Sequence, residues 1–377
     1  MIKKYTLEYV WYDAKQNFRS KRKIINLDNL TMNNIPEWNY DGSSTGQATG
    51  HDSEILLQPF TFIKSPFEED NDVYYVFCET YKPNGEPALG NTRPDAVKYF
   101  SKTDVIDAKP MFGMEQEFYV FKNGTPVVWS DNPEPQGNYY CGFGVSYIGD
   151  TRKFLDEMLE LFKKMGFNVT GSNFEVGPGQ MEIQLCENGL LGGGLLGADR
   201  MVMMRFFMIL FAEKNGYDIS FMPKPDFLGS SKWNGSGCHV NFSTEKMRKK
   251  HSKSPLSAVK EIAKTIYYLQ QYHKEDIPYF GSENNKLRLT GENETSCYDK
   301  FTYGIAHRGS STRIPRQCVK DLEGYVEDRR PGADMDPYLV LPRICEAGVL
   351  MDENKEDKDG IIKIMNDILN VHISSYM

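Results

Sequence analysis

Four strand-like segments carry acids and other polar side chains where a half-buried strand is normally apolar, and this pattern constrains the chain more than any other. The first is Met111-Phe112-Gly113-Met114-Glu115-Gln116-Glu117-Phe118-Tyr119-Val120-Phe121. Side chains alternate along a strand, so Glu115 and Glu117 point the same way. The second, Asn173-Phe174-Glu175-Val176, sets Glu175 opposite Phe174 and Val176. The third, Gln180-Met181-Glu182-Ile183-Gln184-Leu185, has one Gln/Glu/Gln face and one Met/Ile/Leu face. The fourth, Cys238-His239-Val240-Asn241-Phe242-Ser243, turns His239, Asn241 and Ser243 away from an apolar face. A solvated polar face explains any one segment. Gathering all four into one sheet costs several kcal/mol per desolvated charge unless a cation compensates. Oxygen-rich ligands with one imidazole suit Mg²⁺ or Mn²⁺. Carboxylate-held Mg²⁺ most often serves to hold nucleotide phosphates.

The C-terminal third supplies the opposite charge. Arg288 precedes Leu289-Thr290-Gly291-Glu292-Asn293-Glu294-Thr295-Ser296. Two further basic segments follow, His307-Arg308-Gly309-Ser310-Ser311-Thr312-Arg313-Ile314-Pro315-Arg316 and Tyr325-Val326-Glu327-Asp328-Arg329-Arg330-Pro331. Arginine forks match phosphate and carboxylate oxygens bidentately. The chain has no GxxxxGK[ST] motif. The loop Trp233-Asn234-Gly235-Ser236-Gly237 before His239 allows close backbone approach to a ligand. Metals plus arginines neutralise a transferring phosphoryl group, and catalysis is then mostly positioning and electrostatics.

Composition excludes several other classes. Of 377 residues, 44 are basic and 52 acidic, a net charge of −8 that argues against a nucleic-acid partner. The most apolar run, Met201 to Ala212, is broken by Arg205 and is shorter than the roughly 20 residues a bilayer span needs, so no membrane association is expected. No signal-peptide stretch follows Met1. The seven cysteines are odd in number and free of CxxC pairs, which fits a reduced cytoplasmic setting.

The first 80 or so residues read as β-rich, with strands at Thr6–Tyr12 and Val73–Phe77. The turn-rich Lys82-Pro83-Asn84-Gly85-Glu86-Pro87 is the best candidate boundary between domains. Beyond it the pattern predicts helices over 151–165, with Asp150 as N-cap and Gly166 as the stop, over 198–214 and over 256–273.

These motifs resemble glutamine synthetase, more the shorter eukaryotic-type class than the long bacterial one. The resemblance runs in family order through Asn39-Tyr40-Asp41-Gly42-Ser43-Ser44-Thr45, Phe112 to Glu117, Asn234 to His239, Arg308 to Arg316, and Glu327-Asp328-Arg329-Arg330-Pro331. It implies an α+β architecture. A small N-terminal β-grasp domain, residues 1–85, would precede a larger catalytic domain, 90–377, with an antiparallel sheet flanked by helices. It implies ATP-dependent ligation of ammonia to the γ-carboxylate of glutamate through γ-glutamyl phosphate. Two or three Mg²⁺ or Mn²⁺ ions per site and ATP as co-substrate come with that activity.

By the same resemblance, Glu117, Glu175 and Glu182 would hold the metal nearer glutamate and ammonia. Glu115, His239 and Glu327 would hold the metal that orients the ATP phosphates. Arg288 would bind the glutamate carboxylate, with Asn234 and Gly235 at the amino-acid end. Arg308 and Arg313 would contact the transferring phosphate and ATP, with Asn241 and Ser243 also on the ATP side. Arg329 would contact the phosphoryl group and the intermediate. Asp41 would take a proton from ammonium, and Glu294 would sit on a flap over the intermediate. Asp52 would lie on a loop abutting a neighbouring subunit. The family's assembly implies a homo-decamer of two pentameric rings with active sites between subunits. Two departures stand near the expected nucleotide pocket: Met181 where the family usually has Trp, and the stretch Cys186 to Arg200 with Gly192-Gly193-Gly194. Two rivals are a glutamate–amine ligase using another amine, which would keep the same metal and phosphate residues, and a non-catalytic structural homologue, which predicts lost ligands where all six metal positions and the arginines are present.

Overall fold

The computed structural model describes residues 2–68, 71–129, 138–187, 193–225, 233–249, 254–351 and 357–374. The chain divides into two units, Met1–Val97 and Lys98–Met377.

The first unit is built on a five-stranded sheet of β1 (Lys3–Tyr12), β2 (Phe18–Leu27), β3 (Trp38–Asp41), β4 (Glu54–Lys64) and β5 (Val73–Tyr81). The order is β2-β1-β5-β4-β3, with a parallel β1–β5 pair at the centre and antiparallel pairs outside it. Alternation along β1 buries Tyr5, Leu7, Tyr9 and Trp11 against Ile35, Leu57 and Val76. The edge strand β2 carries Arg19, Lys21, Arg22 and Lys23, charges that discourage pairing with another chain's strand. The Lys82–Pro87 turn folds back onto β5. Lys82 N–H donates to the Glu86 carbonyl at 2.8 Å, and Ala88 N–H donates to Thr80 at 2.9 Å. The unit therefore runs past the turn to Val97.

The second unit holds nine strands among the described residues: β6 (Met111–Lys122), β7 (Thr125–Pro126), β8 (Val169–Phe174), β9 (Gln180–Cys186), β10 (Asp218–Ser220), β11 (Cys238–Ser243), β12 (Tyr303–Ile305), β13 (Thr312–Ile314) and β14 (Val326–Asp328). Seven run in the order β12-β13-β14-β11-β6-β9-β8, and β7 and β10 add to β6. Every pair is antiparallel except β12–β13. The 12-residue β6 is the spine, paired with β11 along its first half and with β9 along its middle. Its apolar face, with Phe112, Met114, Phe118 and Val120, is buried.

Helices flank the sheet. The helix Thr151–Lys164 follows the expected span, and Gly166 adopts the left-handed conformation that ends it. Asp150 occupies its N-cap position but makes no side-chain capping bond. The apolar helix begins at Gly193 and ends at Lys214, five residues longer at its start than the sequence pattern predicts. Its glycines are set by packing. A Cβ on Gly193 would stand 2.2 Å from the Pro110 carbonyl oxygen, and one on Gly194 would stand 2.0 Å from the Phe100 ring. Gly193 and Gly194, part of the departure from the family pattern, thus meet a close-approach requirement. Gly192 lies outside the described residues. Met181 is fully buried on the core face of β9, opposite Glu182, so the Trp-to-Met departure alters the core and not the acidic face. No helix among the described residues is long and apolar enough to cross a membrane.

Candidate active site

Sheet register alone gathers the acids. On β6 and β9, Glu117 stands directly opposite Glu182, and Asn173 of β8 follows on the far side of Glu182. On β6 and β11, Glu115 stands opposite His239. Asn241 faces Glu327 of β14, and Glu327 faces Arg313 of β13. Directly opposed residues place their Cβ atoms about 5 Å apart, so three adjacent rows on one sheet face carry the whole set. Glu175 joins from just beyond β8, where its N–H donates to the Gln180 carbonyl at 2.9 Å.

Two trios result. Glu117, Glu175 and Glu182 each offer an oxygen within 4.8 Å of the others, and so do the ligand atoms of Glu115, His239 and Glu327. All but Glu115 are buried. Glu115 and Glu117 are neighbours on one strand face yet belong to different trios, because β11 lies on one side of β6 and β9 on the other.

The electrostatics of the trios differ. Burial, then the neighbouring Glu175, pushes the Glu117 carboxyl up to about 8. Burial, then Glu115, Glu117 and Glu175, pushes Glu182 up to about 9. Burial raises Glu175 as well. Three carboxylates desolvated together favour protons unless another cation takes their place. In the second trio, Glu327 is fully buried between two guanidinium groups. Arg329 Nη1 donates to Glu327 Oε1 at 2.6 Å. Arg313 Nε stands 2.5 Å from Glu327 Oε2, close enough for an ion pair but without hydrogen-bond alignment. Burial, reinforced by Arg329, drives His239 well below its ordinary range, so its imidazole is neutral and a lone pair is available. Its Nδ1 lies 3.5 Å from Glu115 and 3.8 Å from Glu327. Hard oxygen donors with one neutral imidazole, short of compensating charge, fit divalent Mg²⁺ or Mn²⁺.

Amide side chains orient the carboxylates. Asn173 Nδ2 donates to Glu175 at 2.8 Å, Gln184 Nε2 to Glu182 at 2.9 Å and Asn241 Nδ2 to Glu115 at 2.8 Å. The Gly237 N–H donates to Glu117 at 2.6 Å. Asn173 and Gln184 had no assigned role in the sequence. Strand alternation alone puts Gln184 on the Glu182 face and flags it.

Arginines share the site with the acids. A cleft is lined by Glu117, Glu175, Asn234, Gly235, His239, Arg288, Glu294, Arg308 and Arg329. Arg308 forms a two-pronged ion pair with Glu294, Nη1–Oε1 at 3.2 Å and Nη2–Oε2 at 3.0 Å. Glu294 sits on an exposed loop where Asn293 and Glu294 both take positive φ. Gly235 is required there, since a Cβ would stand 2.3 Å from the Pro223 carbonyl oxygen and 2.6 Å from Arg288. Ser243 sits at the far end of β11, buried, with its hydroxyl accepting from Arg248 at 2.9 Å. Asp41 belongs to the first unit, at the end of β3. It is exposed, and the Ser43 hydroxyl and N–H hold its carboxyl below the usual range. Asp52 lies on the exposed loop before β4.

Comparison with known proteins agrees with this chemistry. The family model described as glutamine synthetase, catalytic domain, matches residues 91–358. A glutamine synthetase cytosolic isozyme of Pinus sylvestris is 38% identical over 355 residues, 93% of this chain and 95% of that protein. A glutamine synthetase of Kluyveromyces lactis is 40% identical over 344 residues, 90% of this chain and 87% of that one. Among solved structures, the ligand-free GmaS superposes with a TM-score of 0.70 at 19% identity, covering 95% of this chain and 78% of that one. A GmaS/ADP complex gives 0.71 at 18% identity, covering 95% and 79%. At that identity the likeness speaks to the fold alone.

Proposed function

The chain belongs to the glutamine synthetase family, and on that premise we propose that its polar sheet face catalyses ATP-dependent ligation of ammonia to the γ-carboxylate of glutamate. The observation that carries this reading is the convergence of two metal-ready trios on one sheet face, with Arg288, Arg308 and Arg329 lining the same cleft.

The chemistry explains the parts. A free carboxylate is a poor electrophile, because its leaving group would be oxide. Phosphorylation by ATP gives γ-glutamyl phosphate, whose leaving group is phosphate. Glu117, Glu175 and Glu182 would hold one divalent ion, and Glu115, His239 and Glu327 another. When bound, such ions neutralise and orient the nucleotide phosphates. Arg288 fixes the glutamate carboxylate, with Asn234 and Gly235 shaping the amino-acid end. Arg308 and Arg329 stabilise the charge of the phosphoryl group in flight, and Arg313 holds ATP. Asn241 and Ser243 stay on the nucleotide side. Asn241 acts there by holding Glu115. Glu294, latched to Arg308, closes the loop that keeps water from the acyl phosphate. Asp41, kept ionised by Ser43, attracts ammonium and takes a proton so that free ammonia can attack.

Asp41 acts in the site of a neighbouring copy, within a decamer of two pentameric rings. The family's assembly supports this arrangement. A cytoplasmic location accords with the relatives named cytosolic isozymes. The test is phosphate release by the purified protein. It should require glutamate, ammonium, ATP and Mg²⁺ together, and mixing inactive Asp41→Ala and Arg329→Ala subunits should restore activity. Release that ignores ammonium but responds to another amine would redirect the reading to a different ligase.

A further inference from the structure

Arg288 is one of the most constrained cations in the molecule. It is 4% exposed. Its Nη2 donates to three consecutive carbonyls, Arg329 at 3.2 Å, Arg330 at 2.7 Å and Pro331 at 3.0 Å. Its Nε donates to Asn285 Oδ1 at 2.8 Å. Nη1 makes no hydrogen bond among the described residues and lies against Gly237, where a Cβ would come within 2.9 Å of it. Arg288 lines the cleft together with Glu117, Glu175 and His239.

Asn285 is fixed just as tightly. It precedes Arg288 by three residues in the short helix Asn285–Arg288, so the two side chains share a face. It is 1% exposed. Its Nδ2 donates to the Phe280 and Arg330 carbonyls, both at 3.0 Å. Two glycines make room for it. A Cβ on Gly281 would stand 3.1 Å from Asn285 Cβ, and one on Gly332 would stand 3.0 Å from Asn285 Oδ1. The donated bonds settle which way the amide points, because its nitrogen must face the two carbonyls and its oxygen must face Arg288.

We propose that Asn285 is the positioning residue that selects Nη1 of Arg288 as the donor offered to the substrate carboxylate. An arginine has five N–H groups and several rotatable bonds. The three carbonyls hold the guanidinium at Nη2, and the Asn285 bond at Nε is the second anchor; without it the group pivots about Nη2, and the edge presented to the cleft is less well fixed. Asn285 is a neutral acceptor, so it orients the cation without cancelling its charge. This role rests on the reading that Arg288 binds glutamate, and it adds how that contact is aimed.

The experiment compares steady-state constants of the metal- and ATP-supplied enzyme carrying Asn285→Leu, Asn285→Asp or Arg288→Lys. Asn285→Leu keeps the branched shape and removes the acceptor. It should raise the glutamate KM roughly tenfold while the ATP KM moves less than about twofold. Asn285→Asp keeps the acceptor but sets an oxygen against two carbonyls. It should lower the thermal midpoint yet hold the glutamate KM within about threefold. In the Arg288→Lys background, Asn285→Leu should add less than about twofold to the glutamate KM. The inference is overturned if Asn285→Leu leaves the glutamate KM unchanged or raises both KM values alike. It is overturned equally if the KM values follow thermal stability across the Leu and Asp variants. If Arg288→Lys itself leaves the glutamate KM unchanged, the assignment of Arg288 to glutamate has failed instead. Should Asn285→Leu not fold, the Asp variant decides, since a merely structural role predicts that its lost stability carries the glutamate KM with it.

Discussion

The two trios share a sheet and a strand, yet they solve the problem of buried charge in different ways. Glu115, His239 and Glu327 are compensated within the chain. Arg313 and Arg329 flank Glu327, and the imidazole is neutral. Among the described residues, no arginine or lysine pairs directly with Glu117, Glu175 or Glu182, and amide and backbone groups alone donate to them. Their carboxyls are accordingly pushed toward the protonated form. The difference teaches that the same donor count does not give the same dependence on a cation. The first trio needs an external positive charge to stay ionised, whereas the second keeps its charges as part of the fold.

The sharpest break between them is functional loss paired with opposite effects on stability. Glu182→Gln and Glu327→Gln should both lower kcat by roughly 100-fold or more, measured as phosphate release with all substrates present. Their metal-free stabilities should diverge. Glu327→Gln leaves Arg313 and Arg329 facing a neutral amide in a buried site and should cost about 3–5 kcal/mol in denaturant unfolding. Glu182→Gln removes a strained carboxylate and should raise the metal-free thermal midpoint at pH 8 by about 2 °C. Equal destabilisation by both would erase the comparison.

The pH response sharpens it. The folded Glu117 and Glu182 carboxyls hold protons up to about 8 and about 9, while the unfolded chain releases them near 4.5, the ordinary glutamate value. The folded state therefore binds more protons across that window, and stability falls as pH rises through it. Metal-free thermal midpoints should decline between pH 5 and pH 9, and saturating Mn²⁺ should flatten the decline. Calorimetry at pH 7 in buffers of different ionisation enthalpy should register protons released as Mn²⁺ binds. A metal-free midpoint that rises over this range would contradict the raised carboxyls. The smallest effect concerns the amides. Gln184→Leu should weaken Mn²⁺ binding at the first trio about tenfold and leave the second unchanged, read by titration with a paramagnetic readout.

Much of this site was legible before any coordinates, and the physical reason is strand periodicity. Alternation placed Glu115 with Glu117 and set Glu182 and Gln184 on one face against Met181 and Ile183. It could not say that β11 and β9 flank β6, so it could not divide the acids between two trios; that follows from register, a long-range property. The first five residues of the Gly193–Lys214 helix escape the sequence pattern because its glycines answer to Pro110 and Phe100, residues distant in sequence. Asn285 gave no sequence signal at all. An asparagine near a turn is commonplace, and only its three bonds and the glycines around it distinguish it. The resemblance to a known family supplied the roles of Asp41 and Glu294, which neither periodicity nor composition contains.

The central claim is that two cation sites lie side by side on one sheet face. Anomalous diffraction from crystals grown with Mn²⁺ tests it most directly. Two peaks are predicted, one held by Glu117, Glu175 and Glu182 and the other by Glu115, His239 and Glu327. Ordered crystals at saturating Mn²⁺ with no density at these carboxylates, or with manganese bound only elsewhere, would contradict it.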